Sequence, residues 1–211
     1  MLRRPPLALL VVAATIAGSM LVALASAASH GPSRWPGDVL RVHDASGWDA
    51  TVERAVAQWN AADVGIRIEL VADPDDAQVD IVSDDRRIDG YCADRHCYAF
   101  ATTIGPRPDK ETMIVLRRPL VHEGDRPNPW SVRLVVHELG HALGLRHAEG
   151  VTAECAVMRS DLQLPACGAA DEVASGMGPC GPFSADVREA ARLYGGPGRP
   201  QASCLWRALR D

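Results

Sequence analysis

The residues from His137 to His147 have the types and the spacing of a metal-binding site, and they read HELGHALGLRH. His137 and His141 are four residues apart, so on a helix their imidazoles project from one face, one turn apart. Two ring nitrogens placed in this way can bind one zinc ion at about 2.0–2.1 Å. Glu138 lies about 100° further round the helix. From there its carboxylate is better placed to reach a zinc-activated water than the ion itself.

A third ligand is expected just beyond the helix. Gly144 predicts the end of the helix because glycine readily adopts the left-handed conformation. The turn would then bring His147 back toward the ion. Three neutral histidines leave a fourth position open to water, which is typical of catalytic rather than structural zinc. At the chain's own residue frequencies, this full spacing arises by chance in fewer than about 1 of 10,000 such chains.

The helix that must position these histidines has a clear beginning and a broad apolar face. Asn128 can cap it, and Pro129 suits its first position. The buried face is predicted to comprise Val132, Val135, Val136, Leu139 and Leu143. A mostly polar loop is predicted over residues 119–129, before the helix.

The first half of the chain is predicted to contain one helix and several strands. Ser46, three residues before Asp49, resembles a capping box that opens the helix. Its apolar face is predicted to comprise Trp48, Val52, Ala55, Val56 and Trp59, and Gly65 ends this unit. Strands are predicted at residues 39–42, 66–70, 79–82, 98–103 and 113–116, partly from alternating polar and apolar residues.

Composition and the N-terminal residues indicate an exported globular protein. The chain has 211 residues, 47% of them hydrophobic, and a net charge of −5. This suits one domain and argues against a nucleic-acid binder. Arg3 and Arg4 precede an apolar run from Leu7 to Ala25, and Ala25-Ser26-Ala27 fits a secretory cleavage site. We therefore expect residues 1–27 to be a signal peptide and the protein to be secreted. The alternative is an uncleaved membrane anchor with an extracytoplasmic catalytic domain, since the run approaches the roughly 20 residues that span a bilayer.

Six cysteines follow this segment, and an even number in an oxidising compartment favours disulfides. Because local closure has the lowest entropic cost, we expect Cys92–Cys97, Cys155–Cys167 and Cys180–Cys204. Buried free thiols are the alternative. We further expect residues 28–37 to be a linker, residues 38–198 one catalytic domain, and residues 199–211 a tail, in a monomer.

The zinc motif resembles that of the metzincin clan of zinc endopeptidases. Met158, eleven residues after His147, is similar to the methionine of the metzincin Met-turn. The segment PFSADVREAARLYG, residues 182–195, resembles the closing helix of the matrixin family. The resemblance covers about residues 38–195.

This resemblance implies an α+β, zincin-like fold. It would have a twisted, mostly parallel sheet with an antiparallel edge strand, two long helices, and a small loop-rich C-terminal subdomain. The protein would be a zinc-dependent metalloendopeptidase of extracellular proteins, in which Glu138 is the general base and Met158 shapes the floor below the metal. A peptide substrate would lie along the edge strand and contact Tyr98, Ala99, Phe100 and Ala101. Residues 159–162 would form the wall of a specificity pocket.

Some features depart from the matrixin pattern. No latency segment like PRCGxPD appears in residues 28–38, so we expect no cysteine switch. His96 and His122 stand alone and do not match a structural zinc site. Structural calcium is left open, because a solvated acidic loop explains the aspartates equally well; these are Asp73, Asp75, Asp76, Asp80, Asp84, Asp85 and Asp89. A zinc-bearing binding or structural module is the competing function, and Glu138 distinguishes the two because a structural site needs no base.

Overall fold

The computed structural model describes residues 34–92, 97–118, 128–149, 156–160 and 181–199. Within them lie five strands and four α-helices. The strands are β1 (Val39–Ala45), β2 (Arg67–Val71), β3 (Val79–Ser83), β4 (Ala99–Ala101) and β5 (Thr112–Leu116). The helices are α1 (Asp49–Ala61), α2 (Asp85–Tyr91), α3 (Pro129–Ala142) and α4 (Ser184–Tyr194), and a 3-10 turn covers Pro74–Asp76.

The strands form one sheet in the order β2-β1-β3-β5-β4. The first four in this order pair in parallel, and β4 pairs antiparallel with β5. The predicted α+β class and the mostly parallel sheet with an antiparallel edge strand are therefore confirmed. All five predicted strands are present, although β4 is shorter than predicted. Backbone hydrogen bonds continue at residues 98 and 102, and the chain then turns at Thr103, whose hydroxyl bonds the Gly105 carbonyl.

Helices α1 and α3 pack on one another, and the first contacts β2 while the second contacts β4 and β5. Their apolar faces are the predicted ones. In α1, Val52, Ala55, Val56 and Trp59 are buried in the core, with Trp48 packed against it. Burial of these side chains contributes about 1.5–3 kcal/mol for each large one. The packing of α3 against β4 and β5 places its histidines beside β4.

Helix α3 begins and ends as the sequence predicts. The Asn128 side chain accepts a hydrogen bond from the Trp130 N–H, and Pro129 occupies the first turn. Gly144 has a φ of +99°, which ends the helix. All five residues of the predicted apolar face are buried.

Three aromatic side chains from distant parts of the chain hold carbonyl groups of α3. The Trp59 indole N–H donates to the Val136 carbonyl at 2.9 Å. Trp35 and the Tyr194 hydroxyl each donate at 2.8 Å, to the carbonyls of residues 142 and 143. The last carbonyls of a helix, here those of residues 142 and 143, have no partner within the helix. These bonds therefore fix the histidine-bearing end of α3 to the rest of the fold.

Two local predictions differ from the structure. Ser46 does not cap α1, because its hydroxyl accepts from the Trp48 N–H and donates to Asp44 in a tight turn before the helix. Helix α2 was not predicted. It has seven residues, too few for a periodic pattern, and its only buried residue is Ile88. Asp84, assigned to an acidic loop, is its N-cap and accepts from two backbone N–H groups.

The predicted disulfide Cys92–Cys97 is confirmed, and it joins the end of α2 to the start of β4. The other four cysteines, the signal segment, His96, His122 and the tail from residue 200 lie outside the described residues. Among the helices that are described, none is both long and apolar enough to cross a membrane. The proposed domain boundaries stay predictions.

Candidate metal centre

The structure brings the three predicted histidines together at the C-terminal end of α3. The Nε2 atoms of His141 and His147 lie 3.1 Å apart, and those of His147 and His137 lie 3.3 Å apart. His147 reaches this point because the chain turns at Gly144. Within the described residues, this is the single group of three or more His, Cys, Asp or Glu side chains that could hold a metal ion.

The spacing of these nitrogen atoms fits one tetrahedral ion. Two ligands at about 2.0–2.1 Å from a tetrahedral zinc ion lie about 3.3–3.4 Å apart. The observed separations differ from this value by a few tenths of an ångström at most. Three lone pairs directed at one point repel one another unless a cation lies between them. The donor set, three imidazoles and no thiolate, suits zinc among the common metals.

Backbone carbonyls orient the two helical histidines. Nδ1 of His137 lies 2.8 Å from the Val157 carbonyl, and Nδ1 of His141 lies 2.8 Å from the Leu145 carbonyl. A carbonyl only accepts hydrogen bonds, so each Nδ1 must carry the proton. Each Nε2 therefore keeps its lone pair for a metal, as outer partners of metal-binding histidines commonly ensure.

The surroundings keep the imidazoles neutral, which ligation requires. Burial, followed by the neighbouring His141, lowers the pKa of His137 to about 3. Burial also lowers the pKa of His141 to about 4, and it lowers the pKa of the more exposed His147. At neutral pH the cluster is ready to receive a cation without first losing a proton.

Glu138 lies buried beside the cluster, and its carboxylate accepts a hydrogen bond from the Ala101 backbone N–H. Its Oε2 atom has no hydrogen-bond partner among the described residues. Burial raises the pKa of Glu138 to about 8, and the Ala101 bond opposes this rise. A cation at the histidines would also oppose it, since an opposite charge favours the ionised form. Glu138 is thus a carboxylate able to hold or release a proton near neutral pH.

Met158 lies buried under α3, and its position explains a glycine within the motif. A Cβ added at Gly140 would collide with the Met158 sulfur and would crowd Trp59. Gly140 is therefore needed because the methionine packs directly against the helix backbone. The Met158 carbonyl also accepts a hydrogen bond from the Ala148 N–H at 2.8 Å. This bond ties the Met158 turn to the residue that follows His147.

Asp186 of α4 is a site residue that the sequence analysis missed. Its carboxylate accepts from the N–H groups of Val157 at 2.8 Å, Met158 at 3.3 Å and Phe183 at 2.8 Å. The Val157 carbonyl in turn holds His137. Burial raises the pKa of Asp186, and its hydrogen bonds from backbone N–H groups oppose this rise. Only its place in the PFSAD segment, close to the start of a helix, could have indicated this role.

The histidines and Glu138 open into a cleft of about 610 Å³ that runs along β4. Tyr98, Ala99, Phe100 and Ala101, predicted to contact a substrate, all line it. Tyr98 precedes the strand. Of the predicted pocket wall, Ser160 also lines the cleft, while residues 161 and 162 lie outside the described residues.

Several of the aspartates considered as calcium ligands form ion pairs or helix caps in the structure. Asp80 bonds His43, and Asp85 and Asp89 pair with Arg118 and Arg117. Asp73 and Asp84 cap short helices. Calcium stays a prediction.

Comparison with known proteins gives little further information. No family model matches the chain, and no curated protein matches it. Two solved structures of myroilysin are similar to it at 18% and 16% identity, with TM-scores of 0.37 and 0.35. The matches cover 55% and 58% of this chain, which spans about half the length of those proteins, at 52% and 51%. These values are too low to indicate a shared fold.

Proposed function

We propose that this protein is a zinc-dependent endopeptidase of the metzincin, matrixin-like type, which hydrolyses peptide bonds of extracellular proteins. The observation that carries the proposal is the convergence of three Nε2 atoms beside a buried Glu138 in an open cleft. His137, His141 and His147 would hold the ion. A structural site would need neither the open cleft nor the carboxylate.

Zinc, when bound, supplies a Lewis acid that acidifies water and polarises a carbonyl group. Glu138 would supply the proton transfers, since its carboxylate lies beside the histidines and its Oε2 atom has no hydrogen-bond partner among the described residues. Its carboxylate would take a proton from the attacking water and return it to the leaving amine. Its bond to Ala101 holds the carboxylate beside the strand along which the substrate would lie.

The substrate would pair with the open side of β4. The Thr102 N–H donates to the Met113 carbonyl of β5, and the Tyr98 carbonyl accepts from the N–H of Arg117, the residue after β5. Because these groups alternate along a strand, the backbone groups of Ala99 and Ala101 point away from β5. The Ala101 N–H bonds Glu138, which leaves the Ala101 carbonyl and the Ala99 groups facing the cleft. Such an edge binds an extended peptide through its main chain.

The disulfide supports an extracytoplasmic location. Cys92–Cys97 closes a short loop at the rim of the cleft, and disulfides persist in oxidising compartments. With residues 1–27 as a signal peptide, we propose that the protein acts outside the cell.

The test is a comparison of zinc content and casein cleavage across variants. Glu138→Ala should keep one zinc ion per chain and lose at least about 100-fold in kcat/KM. His147→Ala should lose both zinc affinity and cleavage. His43→Ala, a histidine outside the cluster, is the matched control and should lose neither. Full cleavage by Glu138→Ala would contradict the mechanism, and a zinc-loaded wild type that cleaves no peptide would favour the binding-module alternative.

A further inference from the structure

Aromatic side chains are concentrated at the cleft. Three of the chain's five Tyr and Phe residues line it, namely Tyr91, Tyr98 and Phe100. Tyr91 is 68% exposed, yet it stacks on Phe100 with ring centroids 4.1 Å apart and an angle of 14° between the planes. Exposed apolar groups gathered in one place commonly mark a binding surface.

The aromatic pair, Tyr91 with Phe100, lies on a defined face of β4. Side chains alternate across a strand. Ala99 and Ala101 pack against the hydrophobic core, so Phe100 projects to the opposite face, where α2 carries Tyr91. Among the described residues that line the cleft, the charged ones are Arg107 and Glu138.

A peptide paired with β4 would place one side chain against the aromatic pair. The backbone N–H and C=O groups of Phe100 face β5. On the open side of the strand, Phe100 therefore offers no main-chain hydrogen bonds to a substrate. Residues directly opposite one another at such positions approach most closely, and their side chains share a face. The side chains before and after that residue would point to the other face.

We propose that the cleft selects an aromatic side chain at the one substrate position that lies across β4 from Phe100, and that Tyr91 provides most of this selectivity. The inference rests on the proposed peptidase function and names its substrate class. Aromatic pairs favour offset stacking or edge-to-face contact over other arrangements. From the usual energy of such a pair, Phe should exceed Ala at this position by about 2- to 10-fold in kcat/KM.

The experiment scans fluorogenic peptides that carry Phe, Ala or Glu at each position around the scissile bond. For the zinc-loaded wild type, we expect a preference for Phe at one position and none at the two adjacent positions. Tyr91→Ala should reduce the Phe-to-Ala ratio to near unity, and Tyr91→Phe should retain it. Leu70→Ala, which removes an exposed apolar side chain on β2 at the other edge of the sheet, is the control and should leave the ratio unchanged.

Binding gives a second readout without turnover. Titration calorimetry of zinc-loaded Glu138→Ala with the same peptides should show the same order of affinity, and adding Tyr91→Ala should remove it. Three results would overturn this inference and leave the proposed function standing, provided that the wild type cleaves peptides. They are a wild type without an aromatic preference, a preference that is also found at adjacent positions, and a Phe-to-Ala ratio that is unaffected by Tyr91→Ala. If the protein neither cleaves nor binds any of the peptides, both this inference and the proposed function are overturned.

Discussion

Asp186 provides the strongest test of how the fold positions the metal site. Asp186→Asn keeps one acceptor oxygen and replaces the other with an NH₂ group that faces a backbone N–H. With the oxygen at the Oδ2 position, the bonds from Val157 and Phe183 survive and the one from Met158 is lost. A buried donor left without a partner costs about 1–3 kcal/mol. Relief from burying a charged carboxylate offsets part of this, so we expect the free energy of unfolding to fall by about 1–2 kcal/mol.

The same change should weaken metal binding, because the Met158 N–H that loses its partner belongs to the same peptide group as the Val157 carbonyl, which orients His137. Loss of a hydrogen bond to a metal-binding histidine typically lowers metal affinity 10–100-fold. Asp186 acts on His137 through one intervening residue, so we expect zinc affinity to fall about 10-fold. Urea unfolding of the metal-free protein and zinc competition with a chromophoric chelator measure the two effects. Glu189→Gln, on the same helix and paired with exposed Arg192, is the control. Unchanged stability and zinc affinity in Asp186→Asn would refute the reasoning.

Three further predictions concern the same region. In metal-free protein, the pKa of Glu138 is about 8 in the folded state, above its unfolded value of 4.5. The free energy of unfolding of the wild type, relative to that of Glu138→Gln, should therefore decrease as pH rises from about 4.5 to 8. A difference that stays constant with pH in urea titrations would contradict this. Gly140→Ala should destabilise the protein by about 1–3 kcal/mol through its collision with Met158, whereas Gly90→Ala, which meets open space in α2, should be neutral or stabilising in thermal melts. Asn128→Ala should cost about 1 kcal/mol through loss of the α3 cap, and an unchanged melting temperature would show that the cap contributes nothing.

The sequence predicts well those features that depend on local spacing. His137 and His141 share a face because the helical repeat requires it, and Gly144 predicts both the end of α3 and the return of His147. The strands β1, β2, β3 and β5 follow from short apolar or alternating runs. Each of these features depends on residues within one element or its adjoining turn.

Features that depend on contacts between distant residues could not be predicted in this way. Asp186 reaches Val157 and Met158 from a separate helix, and nothing in its neighbourhood indicates three backbone donors. The requirement for Gly140 arises from Met158 packed beneath α3. Helix α2 is too short for a periodic signal and is held by ion pairs to residues that follow β5.

The anchoring of α3 by Trp35, Trp59 and Tyr194 has a consequence for dynamics. These side chains come from the N-terminal segment, from α1 and from α4, so the helix cannot loosen without disturbing three parts of the fold. Amide hydrogens of α3 should therefore be among the slowest to exchange with solvent, opening only when the whole molecule unfolds. Release of a bound ion through local fraying of α3 would then be rare.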